Sequence, residues 1–412
     1  MYKTISKCRI CGNKDLRRVL DLGEQMLTGV FPKKKDAVVT VGPLRLVKCH
    51  GAADVCGLLQ LEESYDLDEM YGDNYGYRSG LNQSMVKHLH AKVKKILALT
   101  DVKPDDLVVD IGSNDSTTLQ GYGIAGVTYV GIDPTSEKFR AYYPEGIALI
   151  PDFFSANLLT DKYPGRKAKV VTSFSMFYDL EDPVRFMQDV SDVLADDGIW
   201  VFEQSYMPTM LAMNSFDTAC HEHLEYYALK QIDWMCRRTG LKVVDIEFND
   251  VNGGSFSITA CKDHAKREPT SIVAQTLAEE VAAGLDTLAP YEAFAARVAE
   301  LRKSLLAFIA AEQAKGKKIA AIGASTKGNV LLQYCHLTPD ALVAVGEVNP
   351  EKFGAFTPGS WIPIVPEAEL LASDVDFFLV LPWHFRAFFA ASPAFKGKKL
   401  VFPLPQVEVV SC

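Results

Sequence analysis

Val108-Val109-Asp110-Ile111-Gly112-Ser113-Asn114-Asp115 decides how this chain is read. Apolar, β-branched residues run into a glycine, and carboxylates stand at the lip of the turn. A buried strand that turns on glycine is how a doubly wound sheet holds a nucleoside cofactor. Gly112 lets the backbone approach a ligand that a Cβ would block. About 20 residues on, Asp133 closes a second strand in Gly131-Ile132-Asp133-Pro134, the spacing at which a carboxylate takes a ribose diol. That spacing serves a nicotinamide dinucleotide equally well. The full G-x-G-x-x-G fingerprint is absent, however, and no cation is placed for a pyrophosphate. S-adenosylmethionine, which has no phosphate to cradle, is therefore favoured. Asp152-Phe153-Phe154, after a third strand, offers an acceptor and an aromatic surface for adenine. The candidate cofactor residues are Asp110, Gly112, Asn114, Asp115, Asp133, Asp152 and Phe153.

Outward from that turn, the pattern alternates strand and helix. Candidate strands are Leu107–Ile111, Thr128–Ile132, Ala148–Ile150, Val170–Phe174, Ile199–Glu203, Leu241–Phe248 and Phe256–Cys261. Such alternation predicts crossover units and a mostly parallel sheet. Before it, Met85, Val86, Leu89, Val93, Ile96 and Leu97 share one face of a helix over Ser84–Leu99. After it, a charged, alanine-rich stretch from Pro269 to Lys315 reads as two helices broken near Leu288-Ala289-Pro290. Within it Glu279-Glu280 reads as a solvated helix face. A second strand-glycine-helix unit follows at Lys318-Ile319-Ala320-Ala321-Ile322-Gly323-Ala324-Ser325, with further strands at Ala341–Val345 and Phe377–Leu381. The expected architecture is α/β, in four stretches. Residues 1–70 form a small zinc-binding domain with turns and short strands. Residues 71–265 form a Rossmann-like class I methyltransferase domain, 266–315 a helical linker, and 316–412 a second Rossmann-like domain.

The bulk numbers agree with a globular enzyme of more than one domain. The 412 residues are 48% hydrophobic and 23% charged. A net charge of -9 argues against a nucleic-acid binder. No apolar run reaches membrane length. Met1-Tyr2-Lys3-Thr4-Ile5 lacks an apolar signal core, so the cytoplasm is the expected compartment.

Nine cysteines in such a chain argue for metal rather than disulfides. Cys8-Arg9-Ile10-Cys11 is a C-x2-C knuckle, and Cys49 and Cys56 supply a second, looser pair. Together they suit a structural, closed tetrahedral zinc. His50, inside the second pair, is an alternative to one thiolate. The remaining cysteines, Cys220 among them, read as packing residues.

His221-Glu222-His223 puts two imidazoles and a carboxylate in consecutive positions, a set suited to proton transfer. It is not the zinc-protease H-E-x-x-H, because Glu225 stands four places after His221. Gly323–Gly328 carries Lys327 at a helix start, a combination suited to a diphosphate. Trp383-His384-Phe385-Arg386 follows the last candidate strand and brings an arginine towards the same cleft.

With these pieces together, the chain resembles the sugar C-methyltransferases that act on nucleotide-linked keto-deoxysugars, the tetronitrose-type enzymes. The resemblance runs over the whole length. It rests on Cys8-Arg9-Ile10-Cys11-Gly12, Asp110-Ile111-Gly112-Ser113-Asn114-Asp115, His221-Glu222-His223 and Gly323-Ala324-Ser325-Thr326-Lys327-Gly328-Asn329. It implies methylation of a carbon beside a ketone, with His223 as the base and Glu222 in the same polar site. It also implies that Tyr77 reaches that site and that the C-terminal domain closes over the nucleotide sugar. The sequence departs from the family at three places: Cys220 replaces a tyrosine, Tyr178-Asp179 replaces a histidine-bearing loop, and Ser116 replaces a glycine.

The implied chemistry assigns further roles. His223 takes a proton from carbon while donors meet the enolate oxygen. Glu222 orients His221 or His223, or binds a hydroxyl. Asp179 relays a proton or binds a hydroxyl. Tyr77, Tyr226 and Asn252 are candidate donors, and Lys327, Asn329 and Arg386 complete the expected substrate contacts. The substrate is expected to be a dTDP- or GDP-linked 4-keto-6-deoxysugar methylated at C3, and the protein a monomer with no nucleic-acid or membrane partner. An O- or N-methyltransferase, a zinc-ribbon binding protein and a nucleotide-sugar epimerase are the competing readings.

Overall fold

The computed structural model describes residues 2–51, 54–66, 69–70 and 78–412. Its centre is a seven-stranded sheet ordered Leu241–Asn249, Ser255–Lys262, Leu194–Ser205, Ala168–Phe174, Leu107–Ile111, Thr128–Ile132, Ile147–Ile150. Ser255–Lys262 runs antiparallel to both neighbours, and the other adjacent pairs are parallel. The inner parallel strands, such as Leu107–Ile111 and Thr128–Ile132, are largely buried on both faces and read as mostly apolar runs, whereas the edge strand Ile147–Ile150 is only partly buried. Strand order reverses at Leu107–Ile111, which lies between the second and the fourth strand in chain order. A ligand crevice opens beyond the carboxyl ends of strands at such a reversal, and Gly112–Asp115 lies there.

The helix Gln83–Leu99 covers one face. Asn82 Oδ1 caps it by accepting from Ser84 N at 3.0 Å. Its buried residues are Leu89, Val93, Ile96 and one lysine, Lys92. The ammonium of Lys92 is paired with Glu203 (2.8 Å) and Glu247 (3.1 Å), as a buried cation requires.

The N-terminal region holds longer strands than its composition predicts. Leu16–Met26 and Val41–Cys49 pair antiparallel, with register shifts around Leu20 and between Asp21 and Glu24. At the second shift Gly23 takes φ 79° and donates to Asp21 Oδ1, a bulge that keeps Leu20 and Leu22 inward. Leu59–Leu61 adds to this sheet. Its far edge is closed by Glu225–Tyr226, two residues from His223 in the chain.

The C-terminal sheet has six strands: Ile364–Pro366, Val345–Glu347, Ile319–Ile322, Phe377–Val380, Lys399–Phe402 and Glu408–Ser411. The strand predicted at Ala341–Val345 begins only at Val345. Ala341 and Leu342 are taken up in a turn, both donating to Thr338 O.

Two helices join the sheets, Ser271–Ala282 and Ala289–Gln313. The first packs on Leu241–Asn249, and the second lies against Leu16–Met26. Tyr291, Phe294, Val298, Leu301, Leu305 and Ile309 form the buried stripe of the second, at helical spacing. The solvated reading of Glu279-Glu280 is corrected at Glu280, which is buried. Its carboxylate accepts from Leu229 N (2.6 Å), Lys230 N (2.9 Å) and Tyr206 Oη (2.8 Å). It therefore caps the helix Leu229–Cys236, whose own N-cap residue is Ala228 and has no side-chain oxygen.

Candidate active site

The turn after Leu107–Ile111 is built from unusual backbone. Gly112, Asn114 and Ser116 take φ of 73°, 48° and 64°. The value at Ser116 gives a physical reason for the glycine at the matching position of the family it resembles, since left-handed backbone strains most side chains. Asp133 Oδ2 accepts from Asn114 N at 2.8 Å, and Oδ1 accepts from Thr135 N and Oγ1 at 2.7 Å. A carboxylate has about four acceptor sites, so these contacts leave room for a ligand hydroxyl. Asn114 Oδ1 accepts from Ser79 N (3.0 Å) and Asp115 Oδ2 from Gly80 N (2.8 Å). The two side chains thus grip the segment that follows Tyr77. Tyr77 itself lies outside the described residues.

Asp110 is turned into the sheet. Its Oδ1 accepts from Thr172 Oγ1 at 2.5 Å, and burial pushes its pKa up to about 7. Asp152 and Phe153 are exposed beyond the third strand, with Phe153 N donating to Asp152 Oδ1. Half of the Phe153 surface is open, which suits an aromatic seat for adenine. With the acceptor capacity of Asp133, these features fit S-adenosylmethionine.

The second locus centres on His223. Its Nδ1 lies 2.9 Å from Thr218 O. A carbonyl only accepts, so Nδ1 carries the hydrogen and Nε2 carries the free lone pair. Burial pulls the His223 pKa down to about 4, and the nearby Lys327 ammonium adds to the effect. The imidazole packs on Tyr178, with ring centroids 4.3 Å apart. A small cavity beside it is lined by Tyr178, Ser205, Met210, Thr218, Glu225 and Tyr226. The Tyr226 hydroxyl donates to His223 O at 3.0 Å and so fixes the backbone of the imidazole. Asp179 ends the short 3-10 turn Phe177–Asp179, and its charge acts on Cys220, Glu225 and Tyr226.

Glu222 reaches Cys220, on which Asp179 and Lys327 also act, whereas His221 faces elsewhere. Glu222 Oε1 lies against Gly29, where a Cβ would come within 2.4 Å of it, and burial raises its pKa. His221 is buried in the N-terminal module. It sits edge-on to Tyr65 at 4.6 Å, with Nδ1 3.3 Å from Thr28 Oγ1. Burial holds its pKa down at about 3. The structure thus separates the two histidines and gives His221 a packing environment, correcting its expected catalytic place.

Lys327 comes from the helix Thr326–Tyr334, and its Nζ donates to Asn252 O at 3.0 Å. Burial lowers its pKa, opposed by Asp217 and Cys220. This places the ammonium in the neighbourhood of His223 and not on an open glycine turn. Asn252 meets it through a loop with φ 55°. Two other expected substrate contacts are redirected. Asn329 is fully buried and donates from Nδ2 to Thr28 O at 2.8 Å, tying the C-terminal sheet to the N-terminal module. Arg386 forms a two-point pair with Glu408 (2.6 and 2.8 Å) and lies over Phe402, within its own sheet.

Asp217 and Glu203 escaped the sequence reading because each is a lone acid in a mixed stretch, and Glu225 entered it only as the residue that rules out the zinc-protease motif. Glu203, at the end of its strand, takes His88 (2.6 Å), Lys92 (2.8 Å) and Asn249 (2.8 Å).

At the metal centre, Cys8, Cys11, Cys49 and Cys56 bring their Sγ atoms within 4.8 Å of one another, with Cys8–Cys56 and Cys11–Cys49 each at 3.5 Å. Zn–S bonds of about 2.3 Å place tetrahedral sulfurs about 3.8 Å apart, so the set fits zinc. His50 is not among these ligands.

Comparison with known proteins agrees with this layout. Residues 8–71 match a zinc binding domain, 85–246 a methyltransferase domain and 250–405 the C-methyltransferase C-terminal domain. The C-methyltransferase NovU of Streptomyces niveus is 30% identical over 100% of this chain and 98% of its own length. Among solved structures, the Haloferax volcanii complex of the Trm112 methyltransferase activator with a methyltransferase matches 48% of this chain and 98% of that one (16% identity, TM-score 0.37). Magnesium protoporphyrin IX methyltransferase from Synechocystis PCC 6803 with bound SAH matches 44% and 88% (13% identity, TM-score 0.33). No helix among the described residues is long and apolar enough to cross a membrane. The protein is an S-adenosylmethionine-dependent methyltransferase with a zinc-binding N-terminal domain. The full-length match and the three domain matches in series show that the chain belongs to the C-methyltransferase family.

Proposed function

We propose that the protein methylates a carbon next to the ketone of a nucleotide-linked 4-keto-6-deoxysugar, with C3 as the acceptor and His223 as the base. One observation carries this reading. The Thr218 carbonyl fixes Nδ1–H of His223, which leaves a neutral imidazole with a free Nε2 lone pair. A C–H beside a ketone is acidic enough for such a base, and positioned proton transfer is worth about 10²–10⁴ in rate.

S-adenosylmethionine bound over Gly112–Asp115 supplies an electrophilic methyl group. The protein's part is to hold the sugar carbon beside His223 and to take its proton on Nε2. The Lys327 ammonium favours the negative charge that develops on the enolate oxygen. Asp133 would hold the ribose of that cofactor, and Phe153 would offer a face to its adenine. The nucleotide of the sugar substrate is thymidine or guanosine diphosphate.

The test is a mass-spectrometric screen of 4-keto-6-deoxysugar nucleotides with S-adenosylmethionine in deuterated water. The carbon route predicts a mass gain of one methyl and loss of a sugar C–H. Methylation with that C–H retained points to oxygen or nitrogen transfer and rejects the reading.

A further inference from the structure

The segment leading from Ser205 to His223 is gripped by the C-terminal sheet unit. Asn214 donates from Nδ2 to Pro405 O at 2.9 Å. Phe216 meets the Tyr334 ring edge-on at 5.2 Å. Trp383 Nε1 donates to Asp217 Oδ2 at 2.8 Å. Asp217 is 1% exposed and Trp383 5%, so this bond is shielded from water. A bond from an N–H to a carboxylate is directional, and low local polarity strengthens it.

Asp217 sits in the middle of the short 3-10 turn Phe216–Thr218. The next residue, Thr218, carries the carbonyl that meets His223 Nδ1. In so short a turn, fixing the Asp217 side chain fixes the direction of that carbonyl. The turn is also stitched internally, with Thr218 N donating to Ser215 O and Ala219 N to Phe216 O. Contacts thus run from the C-terminal unit to the base, through Trp383, Asp217 and Thr218 in order.

We propose that Trp383 and Asp217 are positioning residues for the base: the indole N–H locks the turn, and the turn selects the Nδ1–H tautomer of His223. This rests on the proposed role of His223. It gives the C-terminal unit a part in the chemistry apart from any contact with the sugar nucleotide.

Trp383→Phe tests the idea, because it keeps a ring and deletes the N–H. Asp217→Asn retains an acceptor oxygen, and Asp217→Ala does not. With ¹⁵N-histidine labelling, a difference against His223→Asn identifies the His223 resonances among the eight histidines. The wild type is expected to show one tautomer, with hydrogen on Nδ1, and Trp383→Phe a mixture. Misplacement of a reacting group by about 1 Å costs on the order of 10²-fold, so kcat in Trp383→Phe is expected to fall at least tenfold with KM within twofold. Asp217→Asn, which keeps the acceptor but not the charge facing Lys327, is expected to keep the single tautomer that Asp217→Ala loses. Either an unchanged tautomer or an unchanged kcat in Trp383→Phe overturns the proposal. If the wild type itself neither exchanges a sugar C–H nor methylates, the reading of His223 as base fails instead, and the tautomer measurement still stands.

Discussion

The Nδ1 atom of His223 lies 2.9 Å from the carbonyl oxygen of Thr218, and the protonation of His223 follows from that distance and its burial. An ordinary histidine gains a proton near pH 6.5. Here burial, with Lys327 beside it, depresses the pKa to about 4. The base is therefore deprotonated at neutral pH and is lost only as pH falls through about 4. A kcat/KM profile, which reports the free enzyme, is expected to show its acid limb near 4. An acid limb near 6.5 would contradict this picture. His223→Asn is expected to cost about 10²–10⁴ in turnover, with S-adenosylmethionine binding retained in calorimetry.

Asp115 ties the cofactor turn to the segment before the first long helix, through Gly80 N at 2.8 Å. Its other oxygen accepts from Thr117 Oγ1 at 2.5 Å. Hydrogen bonds to charged groups contribute about 1.5–3 kcal/mol each. Asp115→Ala is expected to loosen this segment and weaken S-adenosylmethionine binding about tenfold or more, read as Kd by calorimetry. An unchanged Kd would show that Ser79–Leu81 is no part of the cofactor seat.

Zinc is expected at one equivalent per chain, measured by atomic absorption. Arg9, between two of the thiolates, reaches Leu61 O at 2.6 Å and Ser64 Oγ at 2.7 Å. The strand it braces pairs with Glu225–Tyr226, beside His223. Removal of zinc by a chelator is therefore expected to lower both Tm and activity, and readdition to restore them. Retained activity in a protein shown to be metal-free would separate the zinc module from the site.

The central sheet was legible in the sequence because its inner strands, buried on both faces, leave mostly apolar runs. Leu107–Ile111 and Thr128–Ile132 carry the boundaries their patterns predict. The four cysteines were legible because paired thiols in a turn-rich segment have few other uses. What stayed hidden depends on partners distant in the chain. Glu280 caps a helix 51 residues away, Asp217 meets an indole 166 residues away, and Asn329 bonds a carbonyl 301 residues away. Local periodicity carries no information about such partners. Arg386 failed for a different reason, since an adjacent strand offered Glu408 and took both arms of the guanidinium.

Glu280 gives the simplest test of a hidden partner. Its carboxylate satisfies two backbone N–H groups at the start of Leu229–Cys236 and the Tyr206 hydroxyl. Glu280→Ala leaves these donors without their acceptor inside the protein, at about 1–3 kcal/mol for each unsatisfied group. The loss is expected to exceed that of a neighbouring exposed change such as Glu279→Ala, which is expected to stay within about 0.5 kcal/mol. Glu280→Gln keeps one acceptor oxygen and is expected to fall between them. Burial raises the Glu280 pKa above the unfolded value. Between those two values the native state binds more protons than the unfolded one, so this residue's contribution falls as pH rises through that window. Urea titrations of the variants at two pH values check both the order and the sign. If Glu280→Ala is as mild as Glu279→Ala, the carboxylate is not what holds that helix start.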